Sequence, residues 1–368
     1  MPRLGKPCLA PPRLAWPCFN GTPCRTKNGV LVVRWWYYIL VSLLFMDSFG
    51  HYSSLTSPNG KWTSSNGNCG IVNQAQGQGN MQIQAGAFGP AKQFGANYIN
   101  VLAQTNINMP SAGWVLWFYD LTQDIIGVGV QADGTVYAVL HPNFAPISLG
   151  QTAPGVFTFN TWVSVACRAL IDLINGEIQV WINGVLVINV SGIDTNLVGG
   201  FPYITAFELM AGNNNAYHRS VYALDCSTPP HTTYLGPGPV IAVIPFANGA
   251  PVQWTPLAGQ NFAQVNEIPP DGDISYVSSA TVGQVDQYLY ANGAPANATV
   301  VGIQHCLDME IDSGGRSVGS DVAGVAGAGL ALSNGYNIYT FPYDQNPATA
   351  APFSLGDFPL SAGPVVTA

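Results

Sequence analysis

Between positions 161 and 190 the chain twice sets Asn-Gly between apolar runs, and few folds accommodate that. Residues 161–172 (TWVSVACRALID) read as a strand, and Asn175-Gly176 as a turn. Residues 177–182 (EIQVWI) run back, Asn183-Gly184 turn again, and 185–190 (VLVINV) form a third strand. Asn-Gly tolerates positive φ at both central positions of a type I′ turn, the turn whose twist suits a two-residue hairpin. A tight antiparallel meander is therefore expected. Ile178, Val180 and Ile182 fall on one face, and Glu177, Gln179 and Trp181 on the other. Trp181, on the outward set, can be a ligand platform or can pack under a neighbouring loop or module. Packing is the commoner fate of so large a ring.

Similar signals flank this stretch. Residues 114–120 (WVLWFYD) form an aromatic-rich strand, and Asp133-Gly134 separates two alternating runs within 125–140. Further strands are expected at 204–211 and 218–225. Charged residues make up only 8% of the chain, against roughly 25% in an average soluble protein. The 41 Gly and 28 Pro leave little room for long helices. The expected class is all-β.

Charge is unevenly placed. Arg3, Lys6, Arg13, Arg25, Lys27 and Arg34 precede the first acid, Asp47, and the rest of the chain holds five basic residues against nineteen acids. Such a body cannot neutralise many phosphates, which argues against nucleic-acid binding. Cys8, Cys18 and Cys24 lie in the basic stretch, and Cys69, Cys167, Cys226 and Cys306 are scattered beyond it. No C-x-x-C pair occurs, so neither a zinc nor a thioredoxin-like site is expected. Buried free thiols fit the four later cysteines better than a disulfide does.

Residues 1–40 admit three readings. A basic leader before the apolar run 30–46 has the outline of an export signal or membrane anchor. Arg34 interrupts that run, however, and about 20 apolar residues are needed to cross a bilayer. An ordered docking arm would need a periodic pattern, and none is present. The favoured reading is that 1–40 is a disordered or non-native extension, with Val41 as the true start, read from an alternative initiation codon. A membrane partner is accordingly not expected.

The body divides into an expected sandwich at 41–228, a Pro/Gly linker at 229–239 (PPHTTYLGPGP) and a smaller β-rich domain at 240–368. In the last, strands are expected at 240–244, 273–277, 285–290, 299–304, 337–341 and 364–367.

The order of a Trp-led apolar strand, Asn-Gly, a strand ending Trp-Ile-Asn-Gly and then V-x-V resembles laminin G and concanavalin A-like lectin/glucanase sandwiches. In that jelly-roll family the first strand often lies beside the last, which would pair 44–49 (LFMDSF) with 220–225 (SVYALD). The opening FMDSF-x-HY and closing VYALD resemble modules of tailed-bacteriophage virion proteins. So do 272–288 (GDISYVSS…VGQVDQY) and 346–358 (NPATAAPFSLGDF) at the other end. The sandwich resemblance covers about half the chain.

No catalytic set stands out. Glucanases of this class carry Glu-x-Asp-x-x-Glu on one strand, so that alternate carboxyls share a cleft. Here Glu310-Ile-Asp312-Ser-Gly-Gly315 lacks the third acid and lies in the second module, so Glu310 and Asp312 read as a solvated strand face. Asp271 and Asp273 flank Gly272 in ordinary turn chemistry. Asp120 and Asp124 bracket a loop and could help bind calcium, as in some laminin G domains. They offer too few oxygen ligands for a site, and no cofactor is expected. His51, His141, His218, His231 and His305 are dispersed, with neither H-x-x-x-H nor a G-x-S-x-G elbow. Residues 324–330 (GVAGAGL) are Gly-rich without a following Lys-Ser/Thr, so they are not a phosphate loop.

The function expected from this reading is a non-catalytic virion structural protein, tail-associated or on the capsid exterior. Its partners would be other virion proteins, copies of itself and host-surface carbohydrate. A tail-borne polysaccharide-degrading enzyme and an exported carbohydrate-binding module are the alternatives, because sandwiches of this class serve all three roles.

Overall fold

The structure, a computed structural model, describes residues 42–56, 60–65, 69–72, 79–84, 88–120, 123–140, 146–196, 202–212, 214–311 and 315–367. The expectations for 1–40, Val41, His141 and Asp312 lie outside the described residues.

Fourteen strands precede the Pro/Gly segment among the described residues. They are β1 (Leu43–Asp47), β2 (Cys69–Val72), β3 (Asn80–Ile83), β4 (Phe88–Tyr98), β5 (Asn100–Asn108), β6 (Gly113–Asp120), β7 (Gln123–Val130), β8 (Val136–Leu140), β9 (Ile147–Gln151), β10 (Val163–Leu170), β11 (Gly176–Ile182), β12 (Val185–Ile193), β13 (Ile204–Met210) and β14 (Ala216–Asp225). They form two antiparallel sheets. One runs β12-β11-β10-β5-β14-β3-β2, with β1 also on β14; the other runs β4-β13-β6-β7-β8-β9. Phe45, Phe49, Trp62, Met81, Ile107, Leu116, Phe118, Val165, Ile178 and Phe207 are buried in one core cluster drawn from both sheets. Each such side chain contributes about 1.5–3 kcal/mol by leaving water. This is the sandwich that the resemblance implies, and the chain is all-β.

The expected first-to-last pairing is present, with Leu43 opposite Leu224 and Asp47 opposite Val221. Asn183 (φ 50°) and Gly184 (φ 85°) make the two-residue turn between Ile182 and Val185. The Asn175-Gly176 turn does not form. The Asp172 carboxylate accepts the backbone N–H groups of Ile174 and Asn175 at 2.8 and 2.7 Å, winding the chain earlier. Gly176 already belongs to β11, where a Cβ would come within 2.3 Å of Thr195 Oγ1. At the β7–β8 hairpin only Gly134 has positive φ (80°), because Asp133 caps Thr135 N–H and the loop spans 131–135.

Twelve further strands follow the Pro/Gly segment among the described residues. They are β15 (Pro245–Val252), β16 (Thr255–Pro256), β17 (Val277–Ser278), β18 (Asp286–Tyr290), β19 (Ile303–Met309), β20 (Ser317–Val322), β21 (Val325–Ala326), β22 (Leu330–Ala331), β23 (Asn337–Tyr343), β24 (Gln345–Asn346), β25 (Ala351–Pro352) and β26 (Leu360–Val366). β15-β18-β26-β20-β21 form a sheet with β22 on β20, and β19–β23 is a separate hairpin. The strands expected at 240–244 and 299–304 are displaced, to begin at Pro245 and Ile303. The apolar side chains of Ile241 and Val243 instead pack against Gly293, where a Cβ would come within 2.7 Å of Val243. The run 273–277 begins inside a 3-10 turn (Gly272–Ile274), with only Val277 in a strand, because the Asp271 carboxylate accepts Ser275 N–H and Oγ–H. Ala323 (φ 53°) and Gly324 (φ 81°) form the β20–β21 hairpin turn, which accounts for the start of the Gly-rich run.

Two polar devices hold the first strand. The motif FMDSF-x-HY builds the first around Asp47, which is fully buried. Its carboxylate accepts Phe49 N–H at 2.9 Å, Trp62 Nε1–H at 2.7 Å and the Tyr52 hydroxyl. Lys61, 4% exposed, lies 3.6 Å from it and donates to the Met46 carbonyl. Lys92 donates to the Lys61 carbonyl, and both ammonium groups sit within 5.3 Å of the Phe45 ring centroid.

The second device covers the outer edge of β1. A free strand edge exposes unpaired N–H and C=O groups. Here Asp344 accepts Ser42 N–H at 2.5 Å and Leu43 N–H at 2.8 Å. Gln304 accepts Met46 N–H at 3.0 Å and donates to the Met46 carbonyl at 2.9 Å. A side-chain amide thus stands in for a strand neighbour. His231 Nε2, from the Pro/Gly segment, lies 3.4 Å from Asp344 Oδ1.

Candidate functional site

The outward face of the β4–β9 sheet carries an aromatic cluster. In β6, Val115, Leu116 and Phe118 enter the core, while Trp114, Trp117 and Tyr119 belong to a separate cluster with Tyr137, Val139 and Met210. Trp114 lies opposite Gly129 and Trp117 opposite Gly127 in the β6–β7 register, and Tyr137 of β8 also pairs with Gly129. The two glycines make room for the rings. A Cβ on Gly127 would come within 2.5 Å of Trp117, and one on Gly129 within 2.5 Å of Tyr137. The Trp114 centroid is 4.5 Å from that of Trp117 and 5.2 Å from that of Tyr137, the latter edge-on. Such contacts fix ring orientation. Trp117, Val139 and Met210 form a buried floor, with half-buried Trp114, Tyr119 and Tyr137 above it.

Glu208 of β13 joins this floor. It pairs with Trp117 on one side and Ala91 of β4 on the other, and is 6% exposed. Among the described residues no donor reaches its carboxyl. Burial raises its pKa from 4.5 to about 8, so the group is mostly protonated at neutral pH.

This has a measurable consequence. The folded state holds a proton on Glu208 that the unfolded state releases above about pH 4.5, so this group's contribution to stability falls as pH rises toward 8. Three histidines act oppositely. Burial lowers His51 to about 3, and His218 and His305 to about 4. Their contribution is lost as pH falls below 6.5 toward those values. Below about pH 8, where Lys92, lowered to that value by burial, begins to act, thermal stability should therefore peak near pH 6.5. Glu208→Gln should remove the decline on the alkaline side and leave the acidic one, as a calorimetric pH series would show.

A second concavity, of about 1190 Å³, is lined by residues of the first-strand region and by residues that follow the Pro/Gly segment. Its lining includes His51, Lys61, Trp254, Tyr276, Asp308 and Tyr336. Both ring nitrogens of His51 are buried without a hydrogen-bond partner, and its neutral form is held by burial and by Lys61. Burial and neighbouring Glu310 raise Asp308 to about 6. Tyr336 donates to Asp273 and is raised by burial and by that carboxylate.

The residues singled out from sequence are not brought together. Trp181 is buried, its ring 5.0 Å from that of Tyr234 in the Pro/Gly segment, so it packs under a neighbouring segment and is no exposed platform. Glu310 follows β19 and is half-buried. Asp120 and Asp124 sit at the β6–β7 hairpin tip. Among the described residues no group of three or more His, Cys, Asp or Glu is arranged to hold a metal ion. No helix of the described residues is long and apolar enough to cross a membrane, which leaves β-barrel spans unaddressed. None of Cys69, Cys167, Cys226 and Cys306 is in a disulfide. Glu208 and the facing of the aromatic cluster were missed from sequence; the Gly127-x-Gly129 spacing opposite Trp114-x-x-Trp117 was the available signal.

No protein-family model and no curated protein matches the chain. Solved structures do. The receptor-binding domain of botulinum neurotoxin type G is 10% identical over 72% of this chain and 77% of its own, with a TM-score of 0.33. Galectin LEC-6 of Caenorhabditis elegans is 13% identical over 44% and 98%, with a TM-score of 0.28. A carbohydrate esterase from a Shiga toxin-encoding bacteriophage is 11% identical over 50% and 99%, with a TM-score of 0.33. At these values each is a distant structural likeness alone.

Proposed function

We propose that this chain is a non-catalytic, glycan-binding structural protein of a tailed-phage particle, on the tail or the capsid exterior. The observation that carries the binding part is the aromatic face, where Trp114 and Tyr137 stand half-buried over Trp117 and two glycines. Aromatic rings held rigidly on a sheet stack against sugar rings at little entropic cost. The phage assignment rests on the resemblance of FMDSF-x-HY and VYALD to virion modules. Repeated copies on a particle would turn weak contacts into avidity.

Trp114→Ala should weaken retention on host-surface polysaccharide by about thirtyfold, equivalent to about 2 kcal/mol, without loss of fold. Unchanged retention would remove this face from the binding role. Peptide mass spectrometry of purified particles should find the chain in many copies, with its first peptide beginning at Ser42 or at an initiator Met in place of Val41. Absence from particles would sink the virion assignment.

One observation favours a second reading. A carboxyl protonated at neutral pH beside Trp117 suits a general acid of glycoside cleavage. That chemistry needs a second carboxyl about 5–9.5 Å away across the scissile bond. Reducing ends released from host capsule would establish this reading in place of the first.

A further inference from the structure

We propose that the aromatic face selects neutral saccharides and that Glu208 is the residue that reads their hydroxyl groups, an inference resting on the glycan-binding reading above. The charges on the face argue for neutrality. By register, β4 contributes Ala91 and Gln93, and β13 contributes Ala206, Glu208 and Met210. Trp114, Trp117 and Tyr119 come from β6, Gly127 and Gly129 from β7, and Tyr137 and Val139 from β8. No Lys, Arg or His stands on that face among the described residues. Lys92, next to Ala91, points the other way, its ammonium 5.0 Å from the Phe45 ring centroid in the core. Asp124, opposite Tyr119 at the hairpin tip, adds a further acid. A uronate or sialate carboxylate would find no counter-charge among the described residues of this face, and its desolvation would go uncompensated by them.

Glu208 is placed for directional recognition. By register Trp117 lies beside it on one side and Ala91 on the other, with Ala206 two residues along its own strand. Among described residues its carboxyl has no hydrogen-bond partner, so its bonding capacity is left for an incoming group. A carboxyl left without a protein partner beside a rigid ring discriminates between ligands that can and cannot pair with it. In the protonated form, favoured up to about pH 8, the carboxyl both donates and accepts, matching a sugar hydroxyl that does the same. By register its neighbours on the face are Trp117, Ala91 and, diagonally, the titratable Tyr119, with Tyr137 and Asp124 farther off; burial alone raises its pKa.

The test is isothermal titration of the full chain with neutral gluco-, manno-, galacto- and N-acetylglucosamine oligosaccharides and with oligogalacturonates, at pH 6 and pH 9. Wild-type protein should bind a neutral series at pH 6 and lose about tenfold in affinity at pH 9. Glu208→Gln keeps a donor and an acceptor. It should bind within about threefold of wild type at pH 6 and equally well at pH 9, whereas Glu208→Ala should lose about tenfold at both. Thermal midpoints of both variants at pH 6 check the fold. Preference for the uronate series, or neutral binding indifferent to Glu208→Ala but abolished by Trp114→Ala, overturns the inference and leaves the glycan-binding reading standing. Binding of no saccharide by wild type overturns both.

Discussion

Lys61→Met should destabilise the protein by about 3–5 kcal/mol, read as a fall in the urea midpoint. Methionine fills a similar volume, so the loss reports charge and hydrogen bonding more than packing. Without the ammonium, the Asp47 carboxylate stays fully buried with hydrogen bonds from Phe49, Tyr52 and Trp62, and keeps no ion-paired partner, only the more distant charge of Lys92. The Met46 carbonyl also loses its lysine donor. Adding Asp47→Asn to Lys61→Met should return more than about 1 kcal/mol, because the neutral amide no longer carries a buried charge. A single-variant loss below about 1 kcal/mol would show that the pair is not what holds this corner of the core.

Asp344→Ala should cost about 3–5 kcal/mol by a different route. Two backbone donors, Ser42 N–H and Leu43 N–H, lose a shared charged acceptor, and bonds to charged groups are worth about 1.5–3 kcal/mol each. The edge of β1 would then open. Limited proteolysis should cut the variant near residues 42–47 before the β5–β14 ladder is touched, since local opening precedes global unfolding. Asp344→Asn keeps one acceptor oxygen and should fall roughly midway. Equal protease resistance of wild type and Asp344→Ala would assign the edge to Gln304 alone.

What the sequence disclosed follows the range of the interactions involved. Asn183-Gly184 was legible because a two-residue turn is set by its own two backbones. Asn175-Gly176 looked the same and misled, because the competing acceptor, Asp172, lies three residues upstream. After the Pro/Gly segment the apolar runs at 240–244 and 299–304 marked the right neighbourhoods and the wrong boundaries. Side chains such as Val243 and Ile241 pack on a loop, and apolar content alone does not separate that from a ladder.

The candidate site was half legible. The strand 114–120 announces itself by its aromatics, but which rings face outward depends on bulges in the β6–β7 register. Glu208 had no local mark at all. Its environment is made by Ala91 and Trp117, each about a hundred residues away along the chain, and a lone acid in an apolar run reads equally well as a surface residue. The motif FMDSF-x-HY was recognisable as a pattern, while its reason, the buried hub on Asp47, required the fold.

The sealing of β1 bears on how the chain is made. Leu43 is bonded to a carboxylate 301 positions further on, so a nascent polypeptide emerging at about 5–20 residues per second waits roughly 15–60 s before that edge can close. Its ladder partner β14 arrives earlier, but still long after the strand has left the ribosome. During that interval the apolar residues of β1, Leu43 and Phe45 among them, are open to contact with other chains, and its edge to strand pairing. Production at low temperature, or with holdase chaperones in excess, should therefore raise soluble yield. Messages ending before codon 344 should yield insoluble product even when every sandwich strand has been translated.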